Sequence, residues 1–212
     1  MLQELTDKKA SAEKIAQKLV KNSKLIDDVI QGVSSEDPTT KFKSAKVLRI
    51  LSEKRPDLLY AHWEHFAERL SHKNTFLRSD AALTIANLAS IDKDKKFEKL
   101  FDRYYDQLND ESMIAAANLA TGSEKIALAK PHLQTKIIGK LLKIDETRHS
   151  QECKNIIKGD AIETFMSLYP SASQTDKKKI LSFVKAELKN SRPGTRKKAE
   201  RFIKKIGLSD GK

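Results

Sequence analysis

The chain has one cysteine, Cys153, in 212 residues. That excludes an internal disulfide and a cysteine-rich zinc site. Glycine fills seven positions, proline five, and aromatic residues make up 6% of the chain. No apolar run approaches the roughly 20 residues that cross a bilayer. The opening segment "MLQELTDKKASAEK" is polar and lacks the apolar core of a signal peptide. These absences predict a reduced, cytoplasmic protein. Sequence patterns for chemistry are missing too. There is no G-x-x-x-x-G-K or G-x-G-x-x-G loop, no serine in a nucleophile elbow, no HExxH and no CxxC. Neither an enzymatic activity nor a cofactor is expected.

What is present is charge and helical periodicity. Charged residues make up 33% and apolar ones 39%, with a net charge of +12. From Thr175 onward there are 13 Lys/Arg against 4 Asp/Glu, so most of the excess lies in the last part of the chain. Apolar residues recur at helical spacing nearly everywhere, and two-residue alternation is not sustained anywhere. Helices are predicted over 11–21, 24–33, 39–54, from Pro56 to about Leu70, 74–91, 97–108, 112–129, 131–144, 150–169, 175–190 and 194–206. On the helix 39–54, Phe42, Ala45, Leu48 and Leu51 mark the apolar face. All five prolines fall at the breaks, where they cost no interior hydrogen bond.

The segments "LRSDAALTIANL" (77–88) and "IKGDAIETFMSL" (157–168) share an order of apolar, basic, small, Asp and Ala. "TRKKAERFI" (195–203) shares its basic residue and alanine spacing, and "KFKSAKVLRI" and "MIAAANLAT" fit more loosely. Aligning Ala45, Ala81, Ala117, Ala161 and Ala199 gives steps of 36, 36, 44 and 38. With Asp37-Pro38 opening one second helix, this pattern resembles the HEAT repeat family. The resemblance implies an all-α fold: a right-handed α-α superhelix, or armadillo-type solenoid, of about eleven helices in four to five repeats. It predicts one domain over 1–212: a capping helix over 1–22, stacked pairs over 23–206 and a tail over 207–212.

Arg78 and Asp80 raise the question of chemistry. Two residues apart they differ by about 200° around the helix, so they do not pair with each other. The resemblance implies that Arg78, Asp80, Lys158 and Asp160 tie successive repeats together. His62 and His65 with Glu68, and His149 with Cys153, provide too few ligands for a metal site. The expected function is a non-enzymatic scaffold that presents a concave face to a protein or peptide. Lys46, Arg49, Thr84, Asn87 and Glu163 are the candidate lining. The alternative is binding to a nucleic-acid backbone, or to another acidic surface, through the basic C-terminal helices. Lys185, Lys189, Arg192, Arg196, Lys197 and Arg201 would supply the contacts. A further rival is an enzyme resembling the DNA glycosylases built from HEAT-like repeats.

Overall fold

A computed structural model describes residues 2–207. Among them are twelve α-helices, joined by turns and short 3-10 segments, and no strand. The chain divides into two compact units, Met1–Tyr104 and Tyr105–Lys212. The first holds α1 (Leu2–Thr6), α2 (Ala12–Lys21), α3 (Ile26–Gly32), α4 (Pro38–Lys54), α5 (Trp63–Arg69) and α6 (Thr75–Leu88). It also holds α7 (Lys96–Tyr105), except for its last residue. The second holds α8 (Met113–Ala129), α9 (Gln134–Leu141), α10 (Gln151–Leu168), α11 (Gln174–Glu187) and α12 (Pro193–Lys205). The segment predicted as a capping helix therefore forms two helices, α1 and α2. Of the predicted tail, only Gly207 lies within the described residues.

Most helix starts are written locally. Asp37 caps α4, its Oδ2 accepting from Thr40 N (2.8 Å) and Thr40 Oγ1 (2.6 Å), with Pro38 in the first turn. Asn74 caps α6, its Oδ1 accepting from Phe76 N (3.0 Å) and Leu77 N (3.3 Å). The helix predicted from Pro56 differs. Residues Pro56–Leu58 and Tyr60–His62 form 3-10 turns, and α-helical bonding begins only at Trp63. The closing bonds there span three residues, as in Leu59 N to Pro56 O (3.0 Å) and His62 N to Leu59 O (2.9 Å).

In the first unit α2, α4 and α6 pack side by side, with α3 and α5 against α4 and α6. The contacts Phe42–Phe76, Arg49–Asp80 and Ser52–Asn87 advance in the same direction, so α4 and α6 run parallel. Leu48, Leu51, Trp63, Phe66, Leu77 and Ile85 fill the space between the helices. The first helices also reach back to earlier turns. Arg69 donates to Ser34 Oγ (3.2 Å), and Arg103 donates to Ser71 Oγ (3.0 Å) and Glu68 O (3.2 Å). These arginine hooks join the α5 and α7 helices to the loop of the preceding pair.

In the second unit α10 lies between α8 and α12. Ala115, Ala116, Ala120 and Gly122 are buried on α8 and let α10 approach closely. Thr164 Oγ1 on α10 reaches the Ala120 backbone carbonyl at 2.8 Å. On the other side Thr195 Oγ1 of α12 donates to Asn155 O (2.6 Å). A Cβ added at Gly159 would stand 2.9 Å from that same Thr195 Oγ1. Gly159→Ala gains about 1 kcal/mol of helix propensity but displaces Thr195. A net loss of roughly 1–2 kcal/mol is expected from overpacking and the lost bond. Urea unfolding of the variant measures it, and unchanged stability would show that α12 yields without cost.

The repeat register differs from the one read off the alanines. The second helices begin after Asp37, Asn74, Ser112, Ser150 and Arg192, steps of 37, 38, 38 and 42. Counted from those caps, Ala81 and Ala199 are both seventh, Ala45 eighth, Ala117 fifth and Ala161 eleventh. Alanine recurs at several closely packed positions of these helices, so matching alanines slides the repeats along one another.

Candidate functional site

The sequence-predicted lining residues separate into two groups. Lys46 is exposed and lies 3.5 Å from Glu13 on α2. Arg49 bridges Glu53 (3.2 Å) on its own helix and Asp80 (3.1 Å) on α6. These residues share the open face of the α2–α4–α6 layer. Thr84 and Asn87 do not: they are 1% and 6% exposed. Asn87 donates to Ser52 Oγ of α4 at 2.8 Å in the interior. Both are corrected from partner contacts to core residues, because α6 is packed on most of its circumference. Glu163, on α10, is bound by Arg201 of α12.

Two residues that sequence reasoning did not place on this face dominate it. Phe42 is 39% exposed and Phe76 is 65% exposed, and their rings meet edge to face with centroids 6.0 Å apart. Phe42, counted above with the apolar face of its helix, therefore points out of the core. Together with Lys46, Arg49 and Asp80 the rings line a groove of about 450 Å3. Phe76 follows the Asn74 cap by two positions and falls outside the buried set Leu77, Ala81, Ala82 and Ile85. That offset is the signal that could have identified it. The same offset from the α8 cap gives Ile114, 54% exposed.

Charge at the groove is compensated locally, Lys46 and Arg49 facing Glu13, Glu53 and Asp80. Burial raises the Asp80 carboxyl above its ordinary range, against the pull of Arg49 and Lys46. Lys43 lies outside the groove lining and donates to the Asp7 backbone carbonyl. At the N-terminal ends of α4 and α6, burial and the cations Arg69, Lys73 and Lys41 hold the His72 imidazole below its ordinary value. The pair Arg78 and Asp80 serves two purposes. Arg78 donates to His72 O (2.6 Å), Lys73 O (3.1 Å) and Thr75 Oγ1 (3.0 Å), fastening the turn before α6. Asp80 faces α4 through Arg49.

The basic C-terminal candidates are partly occupied by the protein itself. Arg192 pairs with Glu152, Arg201 with Glu163, and Arg196 donates to Asn190 O at 2.9 Å. Lys185, Lys189 and Lys197 are exposed and have no carboxylate partner among the described residues. Asp160 binds Lys198 of α12 at 2.7 Å, and Lys158 is buried between Glu187 (2.9 Å) and Asp145 (2.8 Å).

Other candidate chemistry is dispersed. His149 Nε2 donates to Leu108 O at 3.0 Å. His62 faces Asp27 at 3.8 Å, while His65 is half-buried. Among the described residues no three His, Cys, Asp or Glu side chains converge to hold a metal ion, and no helix is long and apolar enough to cross a membrane.

No family model matches the chain, and no curated protein matches it in sequence. Solved structures do match it in fold. The crystal structure of an engineered protein from the Northeast Structural Genomics Consortium is similar over 97% of this chain and 94% of that one, with a TM-score of 0.58 and 16% identity. A designed armadillo repeat protein in complex with the peptide (KR)4 is similar over 98% and 91%, with a TM-score of 0.58 and 14% identity. A second designed armadillo repeat protein is similar over 98% of both chains, with a TM-score of 0.53 and 15% identity. The chain therefore has the all-α solenoid fold of the armadillo and HEAT type.

Proposed function

We propose that the protein is a non-enzymatic scaffold that binds a protein or peptide on the open face of its second helices. The observation that carries this reading is the pair of exposed rings, Phe42 and Phe76, beside Lys46 and Arg49. Large aromatic side chains left in water across two adjacent helices are typical of contact sites. One designed armadillo repeat protein of this fold is in complex with a peptide, which supports the mode of binding. That peptide, (KR)4, belongs to the designed protein alone, and the ligand does not transfer with the fold.

Panning a random dodecapeptide display library against the full chain tests the reading. Peptides that bind, and that lose binding when Phe42 and Phe76 are both replaced by alanine, are the expected result. Failure to enrich any peptide would overturn it.

The nucleic-acid reading draws on the exposed Lys185, Lys189 and Lys197. It is the weaker one, because the arginines best shaped to fork a phosphate are held by Glu152, Glu163 and Asn190 O. Duplex DNA binding that falls steeply between low and moderate salt would favour it over the scaffold. The one tryptophan, Trp63, is 2% exposed, so it offers no stacking surface to an enzyme acting on bases. Release of a modified base from damaged duplex would restore that rival.

A further inference from the structure

We infer that the groove between the C-terminal ends of α2 and α4 is a second contact site, which takes an acidic peptide segment carrying aliphatic side chains. The site is separate from the ring pair Phe42–Phe76, and it stands or falls without those rings.

This groove holds about 590 Å3 and is lined by five cations, Lys14, Lys18, Lys21, Lys54 and Arg55. Among the described residues no carboxylate lines it. Two of the cations are engaged by carboxylates outside the lining. Lys18 pairs with Glu4 of α1, and Arg55 holds Asp57 through two bonds, at 2.6 and 2.8 Å. Lys14, Lys21 and Lys54 are exposed and have no carboxylate partner among the described residues. Lys21 and Lys54 end their helices, whose carbonyl termini carry about half a negative charge each. Three ammonium groups outweigh that, so the groove keeps a positive surplus. The Lys46 and Arg49 side of the same layer has no such surplus, because Glu13, Glu53 and Asp80 face it.

The lining also selects the kind of anion. Phosphate is held best by a free guanidinium fork or by the amides of a helix N-terminus. Here the guanidinium of Arg55 is taken by Asp57, and α2 and α4 both present carbonyl ends. No aromatic ring lines the groove to stack a base. Lysine ammonium groups are point charges on flexible stems, and each can take one carboxylate. Below those tips the wall is Val20 and the methylene stems, with Gln17 as the one uncharged polar residue. A segment with Asp or Glu beside Leu or Val matches both levels. Its carboxylates meet the ammonium groups, and its aliphatic side chains cover Val20 and the stems.

Fluorescence anisotropy on the full chain, at about 0.15 M salt, tests this with a labelled dodecapeptide of Asp, Glu and Leu. Lys21→Glu with Lys54→Glu should weaken binding by about tenfold or more. Lys21→Gln with Lys54→Gln should act in the same direction by less, and circular dichroism of both variants should match the parent. Lys204→Glu with Lys205→Glu changes the net charge equally at the end of α12 and should leave binding unchanged. Equal loss in the two charge-reversed variants would mean attraction to net charge alone and overturn the inference. A peptide with serine in place of leucine should bind at least about fivefold more weakly, and equal binding of the two peptides would overturn it. Tighter binding of a short DNA duplex, lost in Lys21→Glu with Lys54→Glu, would assign the groove to phosphate and overturn it. Peptide binding that persists in that variant but disappears in Phe42→Ala with Phe76→Ala would move the segment to the rings, overturning the inference while the scaffold reading stands. No binding of the acidic peptide to the parent chain would overturn it outright.

Discussion

Replacing Lys158 with alanine is expected to destabilise the 105–212 unit by about 3–5 kcal/mol, the cost of leaving a buried charge without its partner. Lys158 is 6% exposed and Glu187 5%, and they meet at 2.9 Å. Burial pulls the Lys158 ammonium toward neutrality, but its bonds to Asp145 and Glu187 outweigh this and hold its pKa above the ordinary value. Without the lysine, Glu187 keeps only its contact with Asn190 from this network. A domain has about 5–15 kcal/mol of stability in all, so the loss is a large fraction of it. Removing the whole pair should do less harm. Lys158→Met with Glu187→Leu fills the volume with apolar atoms and should recover most of the loss. Urea unfolding of the full chain measures both, read from a dye on Cys153, a half-exposed residue of α10. A cost below about 1 kcal/mol for Lys158→Ala would place the pair among weak surface bridges.

The first unit should lose stability as pH falls from about 6.5 toward 4. Burial, with Arg69 and His62 nearby, pushes the His65 imidazole down to about 4. Above pH 6.5 both states hold it neutral and the contribution is fully present. Below that value the unfolded chain takes up the proton and the folded chain resists it, so unfolding gains. The full shift would correspond to roughly 3.4 kcal/mol, and partial exposure of the ring reduces it to about 1–2 kcal/mol. Asp80 acts in the opposite direction: its raised carboxyl pKa favours the folded state as acid is added. The measurement therefore compares the parent with His65→Gln. Trp63 fluorescence reports the melting of this unit, and the parent should lose more stability than the variant between neutral and mildly acid pH. Parallel pH profiles would rule His65 out as the cause.

The helix pairs were legible because proline, cap residues and 3.6-residue periodicity are local. Asp37-Pro38 and Asn74 state their helix starts within four residues. The register was not legible, because alanine is interchangeable wherever two helices pack closely. The open face was only half legible. Lys46 and Arg49 were identifiable as polar residues on a second helix. Thr84 and Asn87 look the same in sequence but turn inward, since α6 is enclosed and Asn87 finds Ser52 there. Phe42 misled in the other direction: spaced three residues from Ala45, it fits the apolar face, and only the packing of α6 leaves it in water. Arg69 and Arg103 carried no sequence signal, since the acceptors Ser34, Ser71 and Glu68 O lie in an earlier repeat.

Those two arginines give the first unit the mechanics of a zipper with one-way teeth. Each holds the loop before it, Arg69 at Ser34 and Arg103 at Ser71. Peeling away α7 releases a single hook and leaves the earlier hook intact. Opening the loop at Ser34 instead releases the Arg69 hook, while the later hook still holds α5's own loop. Loss of the two hooks should thus register as separate steps, visible as staggered amide exchange along the unit.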